Sequence, residues 1–141
     1  MQMTASLPSQ LRLVVMRLAR RLRQEAVGAI TASQLSALST VEWRGPLSLG
    51  ELADIERIAP PSMTRIAARL EERGWVERTV DAADRRVARL AITDEGRSLI
   101  METRTRRDAY LARRLRALSA EEREILAQAL PLLERLTRDE D

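Results

Sequence analysis

Two consecutive prolines, Pro60 and Pro61, stand in the middle of a chain whose apolar residues otherwise recur mostly at helical spacing. Proline lacks the amide proton and its ring clashes with the preceding turn, so no helix runs through such a pair, although a first turn tolerates it. One helix must therefore end before residue 60, and another can begin there. The earlier helix has its own start signal. Ser48 with Glu51 three residues on forms a capping-box pattern, in which a hydroxyl and a carboxylate satisfy two orphan amide donors. The pattern predicts a short helix from there to about Ile55, and a second from Pro60 through Leu70 to Gly74, a natural carboxyl-terminal cap. Two short helices joined by a tight connection are a candidate helix-turn-helix.

After Gly74 the periodicity changes. Trp75 to Val80 alternates as a strand does, Val87 to Ile92 is a second β-prone run, and Asp81 to Arg86 between them reads as a hairpin loop. The loop lacks an Asn-Gly turn, which predicts more than two residues in it. A helix-turn-helix followed by a hairpin predicts a winged helix-turn-helix: mainly α, with a small β-hairpin wing.

The flanks are helical. Leu11, Val14, Val15, Leu18 and Leu22 form an amphipathic stripe interleaved with arginines; Thr31 and Gln34 form a capping box ahead of Leu35, Leu38, Val41 and Trp43, and Gly45-Pro46 stops that run. Thr93 caps a long helix towards Arg116, with Asp94 and Glu95 at its positive end. Ser119 and Glu122 open a last helix bearing Ile125, Leu126, Ala129, Leu130, Leu133 and Leu136, in which Pro131 predicts a kink or a break. The first helix and the last two carry more apolar surface than a chain this small buries alone. We therefore expect a dimer through the N- and C-terminal helices. Residues 1–45 would support and dimerise, 46–93 would bind DNA and 94–141 would dimerise, all within one structural domain.

Composition removes most alternatives. The 141 residues, 45% of them hydrophobic, suit a globular fold. The chain has no cysteine and no histidine, which excludes disulfides, thiol nucleophiles, thiol-based oxidation sensing and the usual general base. It also leaves only oxygen-donor sites for hard cations open to a metal. Carboxylate pairs such as Glu71/Glu72 and Asp94/Glu95 sit on exposed helix positions that suit capping or ion pairing, so we expect no enzyme and no cofactor. No apolar stretch is long enough to cross a bilayer and no leader pattern opens the chain, so we expect a cytoplasmic protein without a membrane partner.

All 24 basic residues are arginine, whose planar fork suits phosphates and guanine edges, yet the net charge is only +3. Residues 46–93 hold eight arginines against eight acids. A DNA surface there requires the charges to be segregated. No acid lies between Pro60 and Leu70, where Met63, Ile66 and Leu70 share one helix face and Ser62, Arg65 and Arg69 the other, with Thr64 and Ala68 beside them. We expect Arg65 to read a base, Arg69 to take a phosphate or base, and Ser62 and Thr64 to take phosphate or a base edge. A merely solvated arginine face fits the same pattern. Arg85 and Arg86 at the hairpin tip are candidates for a narrow minor groove, or for an ordinary solvated tip.

Thr64-Arg65 with Arg69-Leu70, then Gly74-Trp75-Val76-Glu77-Arg78, then Asp84-Arg85-Arg86 followed by Leu90, Thr93 and Gly96 together resemble the MarR (multiple antibiotic resistance regulator) family. The resemblance covers residues 48–96. It implies a homodimer on a pseudo-palindromic operator in double-stranded DNA, and usually repression relieved by a small lipophilic or aromatic effector. It also implies that Arg86 is the wing arginine of the minor groove and that Asp84 braces the wing. Arg12, Trp43 and Arg44 could line an effector cleft, although a packed Trp43 is the plainer expectation. The departure from the family pattern is Pro60-Pro61, which bears on the entry angle of the recognition helix. The competing reading is an architectural DNA-binding dimer without sequence preference or ligand control.

Overall fold

A computed structural model describes residues 5–138, which pack as two compact units meeting in sequence at Arg107 and Asp108. In the first unit α1 (Leu7–Arg23) starts at Ser6, whose hydroxyl accepts the Ser9 amide, and so begins four residues before the apolar stripe at Leu11. Thr31 and Gln34 form the expected reciprocal capping box on α2 (Ala32–Arg44), which ends at Gly45. There follow β1 (Leu47–Ser48), α3 (Leu49–Glu56), α4 (Pro60–Glu72), β2 (Val76–Val80), β3 (Ala88–Ile92) and the start of α5 (Asp94–Leu115).

The strand β1 has no counterpart in the sequence reading. Two residues are too few to show a period, and pairing with β3 alone defines them, Leu47 opposite Leu90 and Ser48 opposite Arg89. β2 pairs antiparallel with the other edge of β3, from Val76 opposite Ile92 to Val80 opposite Ala88, so β3 is the centre of a three-stranded sheet. The hairpin loop is long, as the missing tight-turn signal predicts.

The core lies where α2, α3, α4 and β3 converge, with Leu38, Leu52, Met63, Leu70 and Leu90 wholly buried, and Ile100 of α5 joins it. Thr103 is the one buried polar side chain among the described residues, and its hydroxyl accepts the Val27 amide. Trp43 departs from expectation. It is 78% exposed, because Leu35, Leu38 and Val41 already define the inward face of α2.

In the second unit Ser119 and Glu122 form the predicted capping box on α6 (Ala120–Leu136). Of the kink or break expected at Pro131 the break does not occur: the helix runs on past it. None of the residues of α1 or α6 is buried. Exposed apolar side chains include Val14 and Met16 on α1, and Ile125 and Leu130 on α6.

Two glycines have opposite roles. A Cβ on Gly96 would lie 2.2 Å from the Trp75 carbonyl oxygen, which accepts the Thr93 amide, so the first turn of α5 presses directly on the end of the sheet. Gly50 in α3 has open space around it. Gly96→Ala is therefore expected to cost about 1–3 kcal/mol by overpacking, and Gly50→Ala to add about 0.5–1 kcal/mol by restricting the unfolded chain. Thermal denaturation of the two variants should move the midpoint in opposite directions.

Candidate nucleic-acid interface

α4 begins without a side-chain cap. Ala59 is its N-cap, and Pro60 and Pro61 occupy the first two positions. Neither proline has an amide proton, so two of the donors that usually make a helix start attractive to anions are missing. Side chains must supply that role here. At the other end Gly74, at φ +74°, donates to the Glu71 carbonyl, and the Trp75 amide reaches back to Leu70. This is a Schellman closure, which turns the chain directly into the sheet. The connection from α3 closes in the same way on a non-glycine: Arg57 holds φ +53° and the Ile58 amide returns to Ala53.

Met63, Ala67 and Leu70 of α4 are buried and Ile66 is half-buried, which leaves Ser62, Thr64, Arg65 and Arg69 exposed, as the helical period requires. Their hydrogen bonds distinguish them. The Thr64 hydroxyl donates to the Pro60 carbonyl at 3.0 Å, so in this state its oxygen can accept from a base while its proton is committed. Arg69 lies 3.3 Å from Glu72, an exposed pair that a phosphate could displace at little cost. Arg65 has no carboxylate partner among the described residues.

The wing loop is ordered by its two aspartates. Asp81 Oδ1 accepts the Ala83 amide at 2.8 Å; Asp84 Oδ1 accepts the backbone amide and Nε of Arg86, each at 3.1 Å, and Oδ2 accepts Nη2 at 3.3 Å. Asp84 thus sits where a brace would be, with Arg86 folded against it and Arg85 exposed without an acidic partner among the described residues.

Five of the module's eight acids are tied up in ion pairs: Glu51 and Asp81 with Arg89, Glu71 with Arg78, Glu72 with Arg69 and Asp84 with Arg86. Arg73 stacks over the Trp75 ring at 4.7 Å and donates to the Gly28 carbonyl. Arg57, Arg65, Arg73 and Arg85 are without a carboxylate partner among the described residues, and of these only Arg73 has another contact. The module's balanced charge is therefore uneven locally, by pairing as much as by segregation on faces. Sequence reasoning missed Arg89. Its signal, a guanidinium in a strand beside a capping-box acid, depends on the β1–β3 pairing that only the fold supplies. In the capping-box pattern read from sequence, the Ser48 hydroxyl accepts the Glu51 amide at 3.1 Å, while the Glu51 carboxylate takes Arg89 at 3.0 Å.

The Arg86 side chain, and then its amide, hold the Asp84 carboxyl below its ordinary range. A depressed carboxylate pKa means that the Asp84–Arg86 pair is charged on both sides at neutral pH and is lost only as pH falls through that depressed value. In a pH titration followed by NMR, the Asp84 carboxyl carbon is expected to move with a midpoint below that of free aspartate, and Arg86→Ala should bring the midpoint back up.

Comparison with known proteins agrees with this geometry. The MarR family pattern matches residues 30–88. An HTH-type transcriptional regulator of Mycobacterium tuberculosis is 41% identical over 130 residues, which are 92% of this chain and 91% of the relative. The transcriptional repressor MdtR of Bacillus subtilis is 37% identical over 66% of this chain and 60% of its own length. A crystal structure from Pseudomonas aeruginosa, described as a transcriptional regulator protein, superposes with a TM-score of 0.86 at 35% identity, covering 95% of both chains.

Proposed function

The chain belongs to the MarR family of transcriptional regulators, and from that premise we propose that it binds a pseudo-palindromic operator in double-stranded DNA as a homodimer and represses transcription. The observation that carries the reading is the exposed face of α4, where Ser62, Thr64, Arg65 and Arg69 stand clear of any acid before Glu71 and Arg65 is unpaired among the described residues. A guanidinium can take both acceptors of a guanine edge at once, and Arg65 lies early enough on the helix to reach one. Arg69 then holds a phosphate or a base, and Ser62 and Thr64 take phosphate or base edges. Arg86 leaves Asp84 for the minor groove, with Arg85 beside it, and Asp84 keeps the loop shaped for their entry.

Residues 46–93 bind DNA in this reading, while residues 1–45 and 94–141 support and dimerise. The exposed apolar residues of α1 and of α6 support the second assignment. Two recognition helices then reach half-sites about 34 Å apart, or a small multiple of that, and specificity depends on the spacing. Release by a small lipophilic or aromatic ligand acts through the same spacing: a ligand lowers DNA affinity only by as much as it favours a dimer of different separation. The protein works by binding rather than by catalysis, in the cytoplasm, and needs no cofactor. The repressor name of the Bacillus subtilis relative supports the sign of regulation.

Selection of duplexes from a random library by the purified protein tests the reading. An inverted repeat bound far more tightly than scrambled DNA is the expected result; equal, steeply salt-dependent binding to both would point to an architectural protein. On the selected duplex, Arg65→Ala is expected to lose about 1–3 kcal/mol of discrimination at one base-pair position per half-site, measured by competition with single-base variants. A uniform loss across all sequences would reassign Arg65 to phosphate.

A further inference from the structure

Both strands of the wing carry a guanidinium to a helix of the helix-turn-helix. From β2, Arg78 Nε meets Glu71 of α4 at 2.8 Å. From β3, Arg89 Nη1 meets Glu51 of α3 at 3.0 Å, while its Nε and Nη2 hold Asp81 Oδ2 at 2.9 and 2.8 Å. All three nitrogens of Arg89 are thus engaged, by carboxylates from two different elements. The other oxygen of Asp81 accepts the Ala83 amide inside the wing loop. An unbroken chain of charge-assisted bonds consequently runs from the first turn of α3, through Arg89 and Asp81, into the loop that carries Arg85 and Arg86.

The fold explains why these groups meet. Ser48, the N-cap of α3, lies opposite Arg89 in the β1–β3 ladder, which sets the first turn of α3 beside β3. The Asp81 and Arg89 side chains are 18% and 30% exposed, against 91% for Arg86, so water competes least where the wing is rooted. The Ala83 amide, and then Arg89, hold the Asp81 carboxyl below its ordinary value, so it is charged at neutral pH.

We propose that Arg89 is a positioning residue that clasps the root of the wing to α3 through Glu51 and Asp81, and so sets where Arg85 and Arg86 meet DNA. It acts through the wing and touches no base. The proposal rests on the DNA-binding reading above, but its first test does not require DNA.

Glu51→Gln is the informative variant, because the Ser48 cap accepts the backbone amide of residue 51 whichever side chain stands there, and glutamine removes the charge that holds Arg89. In the DNA-free protein, backbone amide order parameters of Ala83 and Arg85 are expected to fall in Glu51→Gln, with those of α4 unchanged. Unchanged wing order would overturn the clasp, whatever the protein binds. On the selected duplex, Glu51→Gln should weaken binding roughly fivefold, the most an exposed ion pair usually contributes. The same change in an Arg85→Ala/Arg86→Ala background should cost almost nothing, because the wing then has nothing left to deliver. An equal loss in both backgrounds would make Glu51 a structural or direct contact and overturn the positioning role. If the wild-type protein selects no duplex, the DNA-binding reading fails, and the order parameters still decide the clasp.

Discussion

Met63, Ala67 and Leu70 lie wholly buried beneath α4, and burying them orients everything else on that helix. Removing the larger two side chains from water stabilises the fold by about 1.5–3 kcal/mol each, far more than any exposed ion pair of the module. With those three inward, a period of 3.6 residues leaves Ser62, Arg65 and Arg69 no place but the outer face. The prolines at the start and the Schellman closure at the end then fix where the face begins and how the chain enters β2. The candidate DNA surface is thus a by-product of packing.

Charge completes what packing begins. With eight arginines and eight acids, residues 46–93 have no net charge to attract a polyanion. Pairing changes that locally. Once Arg69, Arg78, Arg86 and Arg89 have carboxylate partners, the remaining cations are Arg57, Arg65, Arg73 and Arg85 among the described residues, with Arg73 held over the Trp75 ring. Exposed pairs such as Arg69–Glu72 and Arg86–Asp84 open readily, and a phosphate or a narrow minor groove offers their arginines an alternative partner. The half-buried Arg89 is of another kind. Held from two sides, it ties elements together rather than waiting for a ligand.

The amphipathic helices outside this module present the opposite balance. α1 and α6 are well capped, yet neither buries a residue within this chain. Val14, Met16, Ile125 and Leu130 remain in water at half or more of their full exposure. Surface of that kind is costly to leave uncovered, and the proposed homodimer accounts for it without adding any feature to the winged helix-turn-helix.

How much was legible in the sequence follows from the range of each interaction. Capping boxes at Thr31 and Ser119, the Pro60-Pro61 start, the Gly74 stop and the alternation of the two hairpin strands are local, so residues a few positions apart determined the helices, the hairpin and the face of α4. The resemblance in residues 48–96 rests on that same local spacing. The tertiary structure alone decided the rest. Pairing across the sheet created the two-residue β1, the burial of Leu35, Leu38 and Val41 turned Trp43 outward, and residues 38 positions apart met as Glu51 and Arg89. Helix and strand periods report what a residue's neighbours in the chain require of it. Which charges lie within ion-pairing distance depends on how those elements pack, and no local pattern encodes that.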